Sequence, residues 1–136
     1  MLEINEIRKE VKLNLEIHEG VGLFIDNSGS GKTFSFKFLK DYCEDNYIDF
    51  IYLNYDIYKT KPEDIINICK DKTLVMFDNA DLYLKPDIVD KIYNLGVKYI
   101  LVSIKSSLKL TGLKVRPFNY SIKSCSTPKS ITIWRS

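Results

Sequence analysis

Apolar and polar residues alternate from Val11 to Ile17 (V-K-L-N-L-E-I), the period of a strand with one buried face. His18-Glu19-Gly20 reads as a turn, and V-G-L-F-I, residues 21–25, is a continuous apolar run of the kind found in strands covered on both faces. Residues 33–43 carry two periods at once. Phe34, Phe36 and Phe38 alternate like a strand, whereas Phe34, Phe38 and Tyr42, with Ser35, Leu39 and Cys43, recur every four residues like a helix. The glycine-rich stretch before them decides for helix. D-F-I-Y-L-N-Y, residues 49–55, is rich in β-branched and aromatic side chains and predicts a strand. Pro62 opens a helix through about Cys69, with Glu63 and Asp64 in its first turn and Ile65, Ile66 and Cys69 on one side. T-L-V-M-F-D, residues 73–78, predicts a buried strand. A second proline-opened helix runs from Pro86 through Ile88, Val89, Ile92 and Leu95 to Gly96, where glycine tolerates positive φ. Y-I-L-V-S-I-K, residues 99–105, is a further buried strand. Phe118, Tyr120 and Ile122 then alternate, and S-I-T-I-W (residues 130–134) alternates again after S-T-P-K, which predicts a closing β-hairpin.

Strands separated by helices with short connections imply a parallel sheet wrapped by helices, because parallel neighbours need crossover connections. The expected fold is therefore α/β: a three-layer sandwich around a mainly parallel five-stranded sheet, with an extra N-terminal strand and a C-terminal β-hairpin. A chain of 136 residues suits one such domain, spanning residues 1–136. Ligands of these sheets lie beyond the carboxyl ends of the strands. Three widely separated features fall at those ends: the glycine-rich stretch, Asp78 and Ser103.

The glycine-rich stretch is D-N-S-G-S-G-K-T, Asp26 to Thr33, which fits the phosphate-loop pattern G-x-x-x-x-G-K-[ST] at every place but the first. Backbone N–H groups from Ser28 to Thr33 can point into one concavity, because Gly29 and Gly31 permit the required φ and let a phosphate approach the main chain. Asn27 and Ser30 complete the loop, and the following helix adds its positive end. Lys32 supplies an ammonium for β- and γ-phosphates, and the Thr33 hydroxyl is a ligand for Mg²⁺. Asp26 stands where the pattern has its first glycine. Turned inward, it would repel each phosphate charge by about 4 kcal/mol at 4 Å and an effective dielectric near 20, and binding would fail. Turned outward to cap a turn, it leaves the amide nest intact, and this orientation is expected. L-V-M-F-D ends in Asp78, the candidate carboxylate for ordering Mg²⁺ through water. The competing reading of Asp78 is a cap on the next turn.

D-N-S-G-S-G-K-T and L-V-M-F-D-N-A-D resemble the Walker A and Walker B segments of P-loop NTPases, most closely the additional-strand group that includes AAA+ and STAND ATPases. The resemblance covers roughly residues 20–105. It implies five parallel strands, ATP or GTP with Mg²⁺, and self-assembly. It also implies a polar sensor between the motif strands, a position matched by Ser103. Asn79 stands where many of these ATPases carry a glutamate base. An amide takes no proton, so Asn79 is left to orient water or sense the γ-phosphate, and Asp81, three residues after Asp78, is a substitute base. The helical lid of the AAA+ core is not expected in the 31 residues after Lys105. Arg116 is either an arginine finger toward a neighbour or a solvated tail residue.

Charge changes this picture in one respect. The net +2 divides into 11 Lys or Arg against 18 Asp or Glu in residues 1–90, and nine cations with no carboxylate in residues 91–136. A basic third of this kind either faces nucleic acid or another polyanion or is a solvated surface. No run approaches the roughly 18 apolar residues of a membrane span. The opening M-L-E-I-N-E-I-R-K-E lacks the form of a secretory signal, so a soluble, cytoplasmic protein is expected. Cys43, Cys69 and Cys125 form no C-x-x-C and read as reduced core thiols. The expected function is Mg²⁺-dependent binding of ATP or GTP as a slow NTPase or nucleotide switch. The alternative is a degenerate P-loop domain kept as an interaction module.

Overall fold

The structure, a computed structural model, describes residues 1–25, 32–106 and 110–136, and the backbone alone for residues 32–34. Eight strands and three α-helices follow one another in it: β1 (Leu2–Arg8), β2 (Val11–Ile17), β3 (Gly20–Ile25), α1 (Lys32–Asp45), β4 (Phe50–Leu53), α2 (Pro62–Cys69), β5 (Leu74–Phe77), α3 (Pro86–Asn94), β6 (Tyr99–Ile104), β7 (Phe118–Ser126) and β8 (Lys129–Arg135). Short 3-10 helices at Tyr55–Ile57 and Ala80–Leu82 follow β4 and β5. Pro62 and Pro86 stand at the helix starts their missing N–H suits, and Gly96 closes α3 at φ +96.

All eight strands form one mixed sheet in the order β1-β2-β8-β7-β3-β6-β5-β4. This corrects the expectation of a mainly parallel five-stranded sheet with appended strands. The run β7-β3-β6-β5-β4 is parallel throughout, but it is only part of the sheet. The strand β7 begins beside β3, with Phe118 opposite Gly22, and then turns into an antiparallel pair with β8. In turn β8 pairs in parallel with β2 at Leu13↔Ile131 and Leu15↔Ile133, so the N-terminal hairpin joins the same sheet. The first strand, β1, has no counterpart in the sequence pattern. L-E-I-N-E-I-R breaks the two-residue period, and as an edge strand it buries only Ile4.

Helix α1 lies on one face of the sheet and α2 and α3 on the other. Phe36, Phe38, Leu39 and Cys43 of α1 pack with Phe24, Leu74, Met76 and Leu101, and also with Leu13, Leu15, Ile131 and Ile133 of the mixed half. The sheet therefore curls around α1, and ion pairs from Arg8 to Asp45 and from Lys9 to Asp41 (3.2 Å) tie the β1–β2 turn to that helix. On the opposite face, Ile65 and Cys69 of α2 and Ile88, Val89 and Ile92 of α3 cover Val75, Phe77, Ile100 and Val102. The strands β5 and β6 are buried on both faces, which is why their sequences are unbroken apolar runs. Fully burying each large apolar side chain contributes about 1.5–3 kcal/mol.

Cys43 and Cys69 are buried, as expected of core thiols, whereas Cys125 on β7 is exposed.

Candidate functional site

Register and alternation fix what meets at the carboxyl edge. Phe24 of β3 stands opposite Ser103 of β6, and Phe77 of β5 opposite Val102, so Asp78, one residue past Phe77, comes level with Ser103. Leu74 and Met76 face α1, as do Tyr99 and Leu101, and the two-residue period puts Asp78 and Ser103 on that same face. Helix α1 starts at Lys32, seven residues after the last residue of β3, and runs back along the sheet. Its N-terminus is thus brought to the same edge and face as Asp78 and Ser103. Of the sequence-predicted loop, Asp26, Asn27, Ser28, Gly29, Ser30 and Gly31 lie outside the described residues, as do the side chains of Lys32 and Thr33.

Asp78 is completely buried, and Ser103 is 2% exposed. A buried carboxylate is costly unless its oxygens are hydrogen-bonded. In Asp78 each oxygen has a donor. The Tyr52 hydroxyl donates to Oδ2 at 2.5 Å and the Asn79 backbone N–H donates to Oδ1 at 3.0 Å. Burial, and then the neighbouring Asp78, hold the Tyr52 phenol well above its ordinary pKa, so it stays protonated and donates. Tyr83 donates its hydroxyl to the Asp78 carbonyl at 2.6 Å, and burial raises its pKa likewise.

Asn79 adopts φ 49 and ψ 47, a left-handed conformation that Asn tolerates better than most residues. Its side-chain amide donates to Asn54 Oδ1 at 3.0 Å, and the same Asn54 oxygen accepts the Tyr55 N–H at 2.7 Å, capping the 3-10 helix after β4. Asn54 Nδ2 in turn donates to the Tyr52 hydroxyl at 3.2 Å. Tyr52 and Asn54 carry no motif, and sequence reading passed over them. The one signal was that D-F-I-Y-L-N-Y sets two polar groups at the carboxyl end of a strand.

Asp81, the substitute base, is otherwise engaged. Both of its oxygens accept the Lys105 N–H, at 3.1 and 3.0 Å, which ties the 3-10 helix to the end of β6. A cleft of about 400 Å³ opens at this edge, lined by Tyr55, Asn79, Asp81, Leu82 and Lys105. Among the described residues no three His, Cys, Asp or Glu side chains gather as a metal site. The donor that fits Mg²⁺ is Asp78, a hard oxygen ligand that keeps a second lone pair on each oxygen.

Among the described residues, the cations of residues 91–136 are not all at one place. Lys98 precedes β6 and Lys105 follows it, ~23 Å apart at about 3.3 Å per residue, and Lys98 faces Glu19 at 3.7 Å. Arg135 lies over the Phe118 ring at 4.4 Å, and Arg116 is exposed in the segment before β7. That segment is held by Asp90, whose carboxylate accepts the N–H groups of Lys114 and Val115. No helix among the described residues is long and apolar enough to cross a membrane.

No family model and no curated protein sequence matches the chain. Among solved structures, AMPPCP-bound DnaA from Aquifex aeolicus is similar over 75% of this chain, with a TM-score of 0.55 and 16% identity. A second structure, described as a DNA replication initiation factor, is similar over 71% of it, with a TM-score of 0.51 and 19% identity. This chain spans 40% of the first and 35% of the second. At such identities the likeness is one of fold alone: an α/β fold shared with part of each of these chains.

Proposed function

We propose that the protein binds ATP or GTP with Mg²⁺ and acts as a nucleotide switch or slow NTPase. The observation that carries this reading is the shared edge and face of Asp78, Ser103 and the start of α1. The likeness of fold to an AMPPCP-bound DnaA supports it. In this reading the amides of Asn27 to Gly31, with Lys32, hold the phosphates. Thr33 and Asp78 would hold Mg²⁺, which would supply charge neutralisation at the phosphates. Ser103 and Asn79 report on the γ-phosphate. Asn79 takes no proton, and Asp81 is committed to Lys105, so neither residue deprotonates an attacking water. Slow turnover follows from that lack, and residence of the nucleotide rather than its hydrolysis becomes the signal.

Thermal melting tests this reading. ATP or GTP with Mg²⁺ is expected to raise the midpoint, since a ligand that binds only the native state stabilises it, by about 2.7 kcal/mol at one hundred times Kd. Lys32→Ala should remove the shift. No shift with either nucleotide would instead leave an interaction module, the reading favoured by the amide at position 79. Phosphate release under the same conditions separates a switch from an enzyme. Affinity for oligonucleotides across a salt series tests the polyanion role of residues 91–136, against which the scatter of their cations argues.

A further inference from the structure

Four residues at the carboxyl edge close a ring of hydrogen bonds. The Tyr52 hydroxyl donates to Asp78 Oδ2, and Asn54 Nδ2 donates to the Tyr52 hydroxyl. Asn79 Nδ2 donates to Asn54 Oδ1, and the Asn79 backbone N–H returns to Asp78 Oδ1. Two members are the two residues that follow β5, and two come from the neighbouring edge strand β4 and the residue after it. We propose that Tyr52 is the positioning residue of the magnesium-ordering carboxylate: its hydroxyl fixes the rotation of Asp78, the residue that would order Mg²⁺. This rests on the nucleotide-binding reading and extends it to a residue outside both motifs.

The geometry supports positioning in three ways. A carboxylate is broad in its terminal torsion, and two donors on opposite oxygens restrict it to one orientation. The donor is itself held: the Tyr52 ring meets Phe36 of α1 edge-on at 6.4 Å, and Lys40 Nζ lies 4.6 Å from its centroid. The phenol oxygen is also loaded from behind by Asn54, which leaves its proton directed at Asp78. The phosphate-loop helix and the carboxylate are thereby referenced to one ring. Partners of this kind, which orient a ligand without touching the metal, typically change metal affinity 10- to 100-fold when removed.

The full chain with ATP and GTP provides the test. Nucleotide affinity is measured in EDTA, and the Mg²⁺ concentration for half-saturation is measured at fixed nucleotide, for wild type, Tyr52→Phe, Asp78→Asn and the double variant. Tyr52→Phe is expected to raise the Mg²⁺ half-saturation about tenfold and, by leaving one oxygen of a buried carboxylate without its donor, to lower the ligand-free melting midpoint, while the EDTA affinity stays at the wild-type value. In the Asp78→Asn background the second change should add nothing. The proposal is overturned if Tyr52→Phe leaves the Mg²⁺ requirement unchanged, or if it weakens affinity in EDTA by the same factor as it raises the Mg²⁺ requirement, as a packing role would. If wild type binds neither nucleotide with or without Mg²⁺, the nucleotide reading has failed and the role of Tyr52 with it. The wild-type measurement therefore distinguishes the two failures.

Discussion

Gly22 of β3 and Tyr120 of β7 share one volume: a Cβ built on Gly22 would lie 2.0 Å from the Tyr120 ring. That ring stacks on Phe24 with centroids 4.8 Å apart, and its hydroxyl accepts the His18 N–H at 2.8 Å. The glycine is thus required by the aromatic ring that joins the parallel strands to the mixed half of the sheet. Gly22→Ala should destabilise by about 1–3 kcal/mol through overpacking, read as a lower urea midpoint. The double change Gly22→Ala, Tyr120→Ala relieves the clash, so its loss should fall short of the sum of the two single losses. Additive losses would show that the ring does not constrain the glycine.

Asp90 is the last carboxylate in the chain and is buried, with three hydrogen bonds to the N–H groups of Lys114 and Val115. Asp90→Ala strands those donors and should cost about 2–4 kcal/mol, given about 1–3 for each buried donor left unsatisfied. Amide exchange at residues 114 and 115 should accelerate before that of the sheet does. An unchanged melting midpoint would remove Asp90 as the anchor of the segment leading into β7.

Asn79 sits in the left-handed region, where glycine is free of strain and a β-carbon is not. Asn79→Gly should therefore retain more stability than Asn79→Ala, by about 1 kcal/mol. Asn79→Glu, which restores a proton acceptor, should raise phosphate release above the wild-type rate if nucleotide binds. Equal stability of the Gly and Ala variants would argue that the conformation is not enforced.

Burial pushes the thiol of Cys43 up to about 11 and that of Cys69 up to about 12, while Cys125 is exposed. A thiol reagent near pH 8 should label one cysteine rapidly in the native protein and three in denaturant, and Cys125→Ser should abolish the rapid phase. Burial also raises Tyr120 to about 12. An acid whose folded pKa lies above its unfolded value loses its proton first in the unfolded chain, so rising pH favours unfolding. The melting midpoint should hold below pH 9 and fall between about pH 9 and 12, by up to ~1.4 kcal/mol per unit for each such group. A flat midpoint across that range would contradict the burial of these thiols.

Periodicity and punctuation are local properties, so the sequence alone determined the order of helices and strands, the two proline-started helices, and the parallel strands around the phosphate-loop pattern. It also carried Asp78 and Ser103 to strand ends, because a buried parallel strand is an apolar run closed by its first polar residue. Edges and side-chain partners were decided only by the tertiary structure. The first strand, β1, exists because β2 offers it a pairing edge, and the closing hairpin joins β3 to β2 because the apolar faces of both halves need α1 between them. The ring through Tyr52, Asn54, Asn79 and Asp78, the capture of Asp81 by Lys105, and the hold of Asp90 on Lys114 and Val115 are bonds between residues up to 26 positions apart. No period along the chain encodes such pairs. They form where packing excludes water and each buried polar group takes the partner that the fold brings within reach.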